Sequence, residues 1–120
     1  MTRALARSVI AALGLVAAIA LAGCAAEASS GTPVPTDRVD MPRSYRFAPD
    51  AITVPAGTTV TWTNNDQFTH SVQLPEAEAP NMVVKPGETA EHTFEAPGTY
   101  PYVCRFHPND MTGTVVVTAD

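Results

Sequence analysis

From about Arg43 onward the chain predicts an all-β domain: a two-sheet antiparallel Greek-key β-sandwich of about seven or eight strands. Three observations predict it. Short runs of β-branched and aromatic residues alternate with polar ones, the period of a half-buried strand. Pro and Gly punctuate those runs at close intervals. Past residue 24 no stretch carries the 3.6-residue apolar repeat of an ordinary helix.

Taken in order, Ile52 and Val54 share a face ahead of the turn Pro55-Ala56-Gly57. Thr59 to Thr63 puts Val60 and Trp62 on one face and threonines on the other, and Asn64-Asn65-Asp66 ends that strand. His70 to Leu74 is another short strand, followed by an acidic loop from Pro75 to Pro80 and a mid-chain strand holding Met82. Pro86-Gly87 turns the chain into Thr89 to Phe94, and Pro97-Gly98 turns it into Thr99 to Cys104. Thr114 to Thr118 closes the domain with Val115 and Val117 on one face. Ala96-Pro97-Gly98-Thr99-Tyr100 has the form of a tyrosine corner, so Tyr100 either bonds back to the backbone or is a plain core aromatic. So small a domain buries a limited core, and a ligand that binds only the folded state would add stability.

The first residues read differently. Arg3 and Arg7 precede an apolar stretch from Val9 to Leu21, which is too short for the roughly twenty residues of a membrane-spanning helix. The ending Leu21-Ala22-Gly23-Cys24 resembles the lipobox of bacterial lipoproteins. That resemblance implies residues 1–23 as a signal peptide cleaved before Cys24, and a lipid on the Cys24 sulfur. The chain would then be exported and lipid-anchored at the outer face of the cell membrane, or at a periplasmic membrane face. Residues 24–42, rich in Ala, Ser, Gly, Thr and Pro, are expected to be a disordered tether, leaving 43–120 as the domain. A Cys24–Cys104 disulfide is the lesser reading, because Cys24 sits at a processing site and Cys104 has metal-binding neighbours.

Charge narrows the partners. The chain carries seven basic and twelve acidic residues, and the segment before Cys24 holds two of the former and none of the latter, leaving −7. Such acidity argues against nucleic acid and against electrostatic adhesion to anionic lipid. It is compatible with a basic partner. A monomer is expected.

The chemistry concentrates near the end of the chain. Cys104, His107 and Met111 fall within eight residues, and His70 supplies a second imidazole upstream. Thioether sulfur suits zinc, calcium and magnesium poorly, whereas His₂Cys with a weak axial Met is the donor set of an electron-transfer copper site. Strand parity places Tyr100, Tyr102 and Cys104 on one face, so the thiol points inward where a loop begins. His107 follows close enough to reach the same ion, and Met111 is the expected weak axial ligand rather than merely a core residue. His92 is the rival second imidazole, but it lies mid-strand beside Ala90 and Phe94. Met41 and Met82 have no neighbouring donors.

The stretch from about Ile52 to Val117 resembles the cupredoxins, in particular the small plastocyanin- and amicyanin-like ones. The matching segments are Val54-Pro55-Ala56-Gly57, Thr61-Trp62-Thr63-Asn64, Thr69-His70-Ser71-Val72, Pro97-Gly98-Thr99-Tyr100 and Tyr102 through Pro108. The resemblance implies one blue, type 1 copper at one end of the sandwich, cycling between Cu(I) and Cu(II), with ligands His70, Cys104, His107 and Met111. It also implies an electron exit through an apolar patch around the His of the Cys loop, here Phe68, Phe106 and Pro108. Two departures stand out: Ser71 replaces the Asn that commonly follows the first ligand, and three residues separate His107 from Met111. Both act on features that tune the potential.

The function expected is a one-electron carrier at a membrane surface, exchanging electrons with a redox donor and a redox acceptor. The alternative is a copper-binding lipoprotein that buffers or delivers the metal. An enzyme is not expected: a filled coordination set leaves no place for substrate, and copper enzymes need further His ligands where only His92 remains.

Overall fold

In the computed structural model the residues described are 31–120. Nine strands occur among them: β1 (Val34–Pro35), β2 (Arg38–Met41), β3 (Ala51–Pro55), β4 (Thr58–Asn64), β5 (His70–Val72), β6 (Met82–Val84), β7 (Thr89–Phe94), β8 (Gly98–Val103) and β9 (Thr112–Thr118). One turn of 3₁₀ helix, Pro75–Ala77, opens the acidic loop. A four-stranded sheet has the order β1-β3-β9-β8, a three-stranded sheet β2-β4-β7, and β5 pairs with β6.

The β-sandwich expected from the sequence is present, but its sheets are mixed rather than wholly antiparallel. β1–β3, β2–β4 and β3–β9 pair in parallel. The reason is topological. The chain changes sheet at each of its first four strands, so it re-enters each sheet running in its original direction. Among the strand pairs, β4–β7, β5–β6 and β8–β9 are antiparallel, the last two joining strands consecutive in the chain.

The expected tether also needs correction. Val34–Pro35 and Arg38–Met41 are strands rather than disordered, and Val39 and Met41 are buried in the core. β2 gains order by pairing Arg38 through Met41 with Thr61 through Asn64 of β4, which a local reading of a Pro- and Thr-rich stretch does not reveal. The domain therefore begins near Val34, not Arg43. The signal segment and Cys24 lie outside the described residues.

The core sits between the sheets. Val60 and Trp62 of β4 are fully buried while Thr59 faces out, as the alternation requires. Trp62 meets Tyr102 of β8 edge-on, ring centroids 5.4 Å apart, so one aromatic pair joins the two sheets. Phe47 packs on the other side of Tyr102 at 4.7 Å. A side chain at Gly113 would overlap the Tyr102 ring, which is why β9 is bare at that point. Tyr100 donates its hydroxyl to the Ala96 carbonyl at 2.7 Å, the back-bond of a tyrosine corner.

Candidate metal centre

The site is assembled from two loops at one end of the sandwich, and backbone pairing sets their separation. Gln73, just past β5, forms a two-way bridge with Val103 at the end of β8. Its amide donates to the Val103 carbonyl at 2.9 Å, and the Val103 amide donates back at 3.2 Å. This bridge lays the strand that starts with His70 beside the strand that ends before Cys104.

His70 is fully buried, and its loop is braced from within. Asn64 Nδ2 donates to the carbonyls of Phe68 at 2.8 Å and Val84 at 2.9 Å. Asn64 Oδ1 accepts the Asp66 amide at 2.9 Å. Asp66 then places Oδ2 2.9 Å from His70 Nε2, a contact with both side chains almost wholly out of water. A carboxylate accepts, so Nε2 carries the proton and Nδ1 presents its lone pair to the site. Burial opposes ionisation of Asp66. Its hydrogen bonds from His70 and the Gln67 amide, together with the nearby charge of Arg43, prevail and hold the carboxyl below its ordinary range.

Cys104 is a free thiol, also fully buried. The Ser71 amide points at its sulfur from 3.4 Å, and the Ser71 hydroxyl accepts the Arg105 amide at 2.8 Å. Ser71 thus ties the two ligand loops together, the role expected of the Asn it replaces. The departure is in residue type, not in the linkage.

The second loop closes on itself. His107 donates its amide to the Cys104 carbonyl at 3.2 Å, Met111 donates to the His107 carbonyl at 2.9 Å, and Cys104 donates to the Met111 carbonyl at 3.0 Å. Three intervening residues suffice to return the chain to Cys104 and to bury the Met111 side chain completely. His107 remains half-buried, the most solvent-reachable of the four.

His70, Cys104 and His107 offer ligand atoms that all lie within 4.8 Å of one another. Cys104 Sγ is 3.9 Å from His70 Nδ1 and 3.9 Å from His107 Nδ1. Two ligands at about 2.0 and 2.3 Å from a shared ion, with tetrahedral to trigonal angles, stand about 3.5–3.7 Å apart. The spacing fits one ion with little movement. A thiolate, two imidazoles and an adjacent buried thioether are the donors copper favours.

The other candidates fall outside this group. His92 lies in β7 on the other sheet, half-buried against Phe94 and lining a cleft with Glu76, Glu78 and Glu95. Met41 is core and Met82 lies in β6. Around the site, Phe68 and Phe106 are about half exposed, and Pro108 is exposed as well.

Sequence reasoning did not single out Tyr45 or Asp66. Tyr45 stacks on Phe68 at 5.5 Å and lies 4.5 Å from the His107 ring and 6.0 Å from that of His70. Asp66 passed as the end of a turn. The one signal available was a carboxylate four residues before a candidate ligand.

A family model described as a cupredoxin-like domain matches residues 11–117. The chain belongs to the cupredoxin-like family. Amicyanin-alpha of Methylorubrum extorquens is 34% identical over 106 residues, covering 84% of this chain and 87% of its own. Plastocyanin of Scenedesmus fuscus is 36% identical over 83 residues, covering 59% of this chain and 85% of its own. Among solved structures, a purple cupredoxin from Nitrosopumilus maritimus aligns with a TM-score of 0.61 at 32% identity, over 68% of this chain and 98% of that one. This cupredoxin therefore carries its candidate ligands on the β5 and β8–β9 connections, with β1 and β2 completing the sheets beneath them.

Proposed function

We propose that the protein is a blue copper one-electron carrier held by a lipid on Cys24 at the outer face of a membrane. One observation carries the copper reading: two imidazoles and a thiolate converge within 4.8 Å at one end of a cupredoxin fold, beside a buried Met. A single bound copper ion supplies one electron at a time by changing between two oxidation states. Everything else falls to the chain. His70, Cys104, His107 and Met111 hold the ion from loops fixed by backbone bonds, so little rearrangement accompanies a change of charge. Asp66 keeps His70 in one tautomer. The Ser71 amide moderates the charge on the Cys104 sulfur. The chain is a carrier rather than an enzyme, like the plastocyanin and amicyanin to which it is similar.

Electrons leave through the half-buried His107 edge, where Phe68, Phe106 and Pro108 form the apolar contact face for a donor and an acceptor. Replacing Phe106 with Glu should slow exchange with a partner without bleaching the site, and an unchanged rate counts against that face. The membrane address rests on the lipobox-like Leu21-Ala22-Gly23-Cys24 and its apolar prelude. Nine residues separate Cys24 from β1. At no more than about 3.6 Å each they reach roughly 30 Å, which would keep the domain close to the bilayer. Mass spectrometry of the membrane fraction tests this: a lipidated Cys24 supports it, and an unmodified mature mass contradicts it. A copper-loaded protein that is intensely blue and reversibly reduced supports electron transfer. A colourless form that yields copper readily to chelators would favour copper handling.

A further inference from the structure

The acidity of this chain is unevenly placed. Of the five basic residues after Cys24, three stand on the loops that build the metal end: Arg43 and Arg46 flank Tyr45 closely, and Arg105 lies between Cys104 and Phe106. All three are exposed, and none is ion-paired among the described residues, where the pairs are Arg38–Asp37 and His70–Asp66. Arg43 lies near enough to Asp66 to act on its charge. Those loops carry three exposed arginines against two exposed carboxylates, Asp50 and Asp110, since Asp66 is buried against His70. Arg46 shares a cleft of about 360 Å³ with Asp110 and Asp50. Most other acids sit elsewhere; Glu76, Glu78 and Glu95 line a separate cleft beside His92 and Tyr100.

The exposed rings of Tyr45 and Phe106 are chain neighbours of Arg46 and Arg105, Phe68 stacks on Tyr45, and the His107 edge lies against Tyr45. Apolar contact supplies area, while rim charges decide which partner approaches and in which orientation. At physiological salt the Debye length is about 8 Å, so a partner touching this face feels its nearest charges far more than the acids of a separate cleft. We propose that this face docks a redox protein whose own electron-exit surface is apolar and ringed by carboxylates, with Arg43, Arg46 and Arg105 as the matching rim. The inference rests on reading the His107 face as the electron exit. It reverses the basic partner that the net charge of the chain suggests. An anionic lipid surface would answer the same charges, but it would seal the His107 edge from any electron partner.

The test uses the Cu(I)-loaded chain and hexacyanochromate(III), a redox-inert paramagnetic trianion. Broadening confined to the amides of Tyr45, Arg46, Phe68, Arg105 and Phe106 is expected, reversed by salt and lost in the R43E/R46E/R105E variant with its copper spectrum intact. Broadening elsewhere, or none, overturns the proposal. Should the triple variant fail to hold copper, single Arg→Gln variants must each weaken the effect. Because the probe exchanges no electron, this outcome is independent of whether the protein is a carrier; that reading fails separately if the copper form is not reversibly reduced. With hexacyanoferrate(III) as oxidant, the rate should fall on the order of tenfold as salt is raised. A rate that rises with salt means the net charge of −7 governs approach, and the proposal is wrong. Arginine-dependent broadening on phosphatidylglycerol but not phosphatidylcholine vesicles would also overturn it, in favour of lipid.

Discussion

The two imidazoles of the candidate centre stand 5.5 Å apart, centroid to centroid, yet live in different surroundings. His70 is fully buried, with its far nitrogen bonded to an equally sheltered Asp66 carboxylate. His107 is half-buried, sits on a loop closed by its own backbone, and has Tyr45 packed against its ring. One histidine is locked by a polar network; the other is positioned by a short loop and shielded by an aromatic. The contrast separates two tasks, holding the metal and meeting a partner.

The contrast can be broken most directly by opening each position in turn. In His107→Gly the vacated space borders solvent, so added imidazole should restore most of the copper absorption. In His70→Gly the space is enclosed, and added imidazole should restore little. Equal rescue in both, read from visible titrations, would erase the distinction. Next in size is Asp66→Asn, which keeps a hydrogen-bond acceptor for His70 but removes the charge. Cu(II) affinity should fall on the order of ten- to a hundredfold. Cu(I) binding should change less, so the reduction potential should rise, by about 59 mV for each tenfold difference between the two states. Voltammetry and competitive titration check both numbers.

Asp66 also makes a pH signature in the metal-free protein. Its folded carboxyl titrates below the ordinary 3.8. The contribution is therefore present above 3.8 and lost as pH falls through the lower folded value. Denaturation of the metal-free chain should show an acid limb below 3.8 that is flatter in Asp66→Asn. The smallest expected effect is that of Tyr45→Ala. It removes an exposed ring contact of about 0.5–1.5 kcal/mol. It should increase mobility of the His107 ring in NMR relaxation while leaving His70 unchanged.

Much of this was legible in the chain itself because the signals are local. β7 spans Thr89–Phe94 as the alternation and its bounding turn indicate, and β8 and β9 shift by only a residue or two. The ligand set could be read from donor chemistry over eight residues plus one distant His. What escaped depends on pairing between distant segments. β1 and β2 are only two and four residues long, and they are ordered by parallel partners that local composition does not encode. Tyr45 has no donor chemistry to mark it, and it reaches His107 only because its loop crosses the metal end. Ser71 departs from the commonly found Asn, but the Arg105 amide lies within reach of a hydroxyl as short as serine's.

The central claim is that Cys104, with His70 and His107, binds copper as a thiolate. The visible spectrum of copper-loaded wild type beside Cys104→Ser tests it most directly. An intense blue band that disappears on reduction, returns on oxidation and is absent from the serine variant is the expected result. A colourless wild type, or a band that survives the loss of the sulfur, would contradict it.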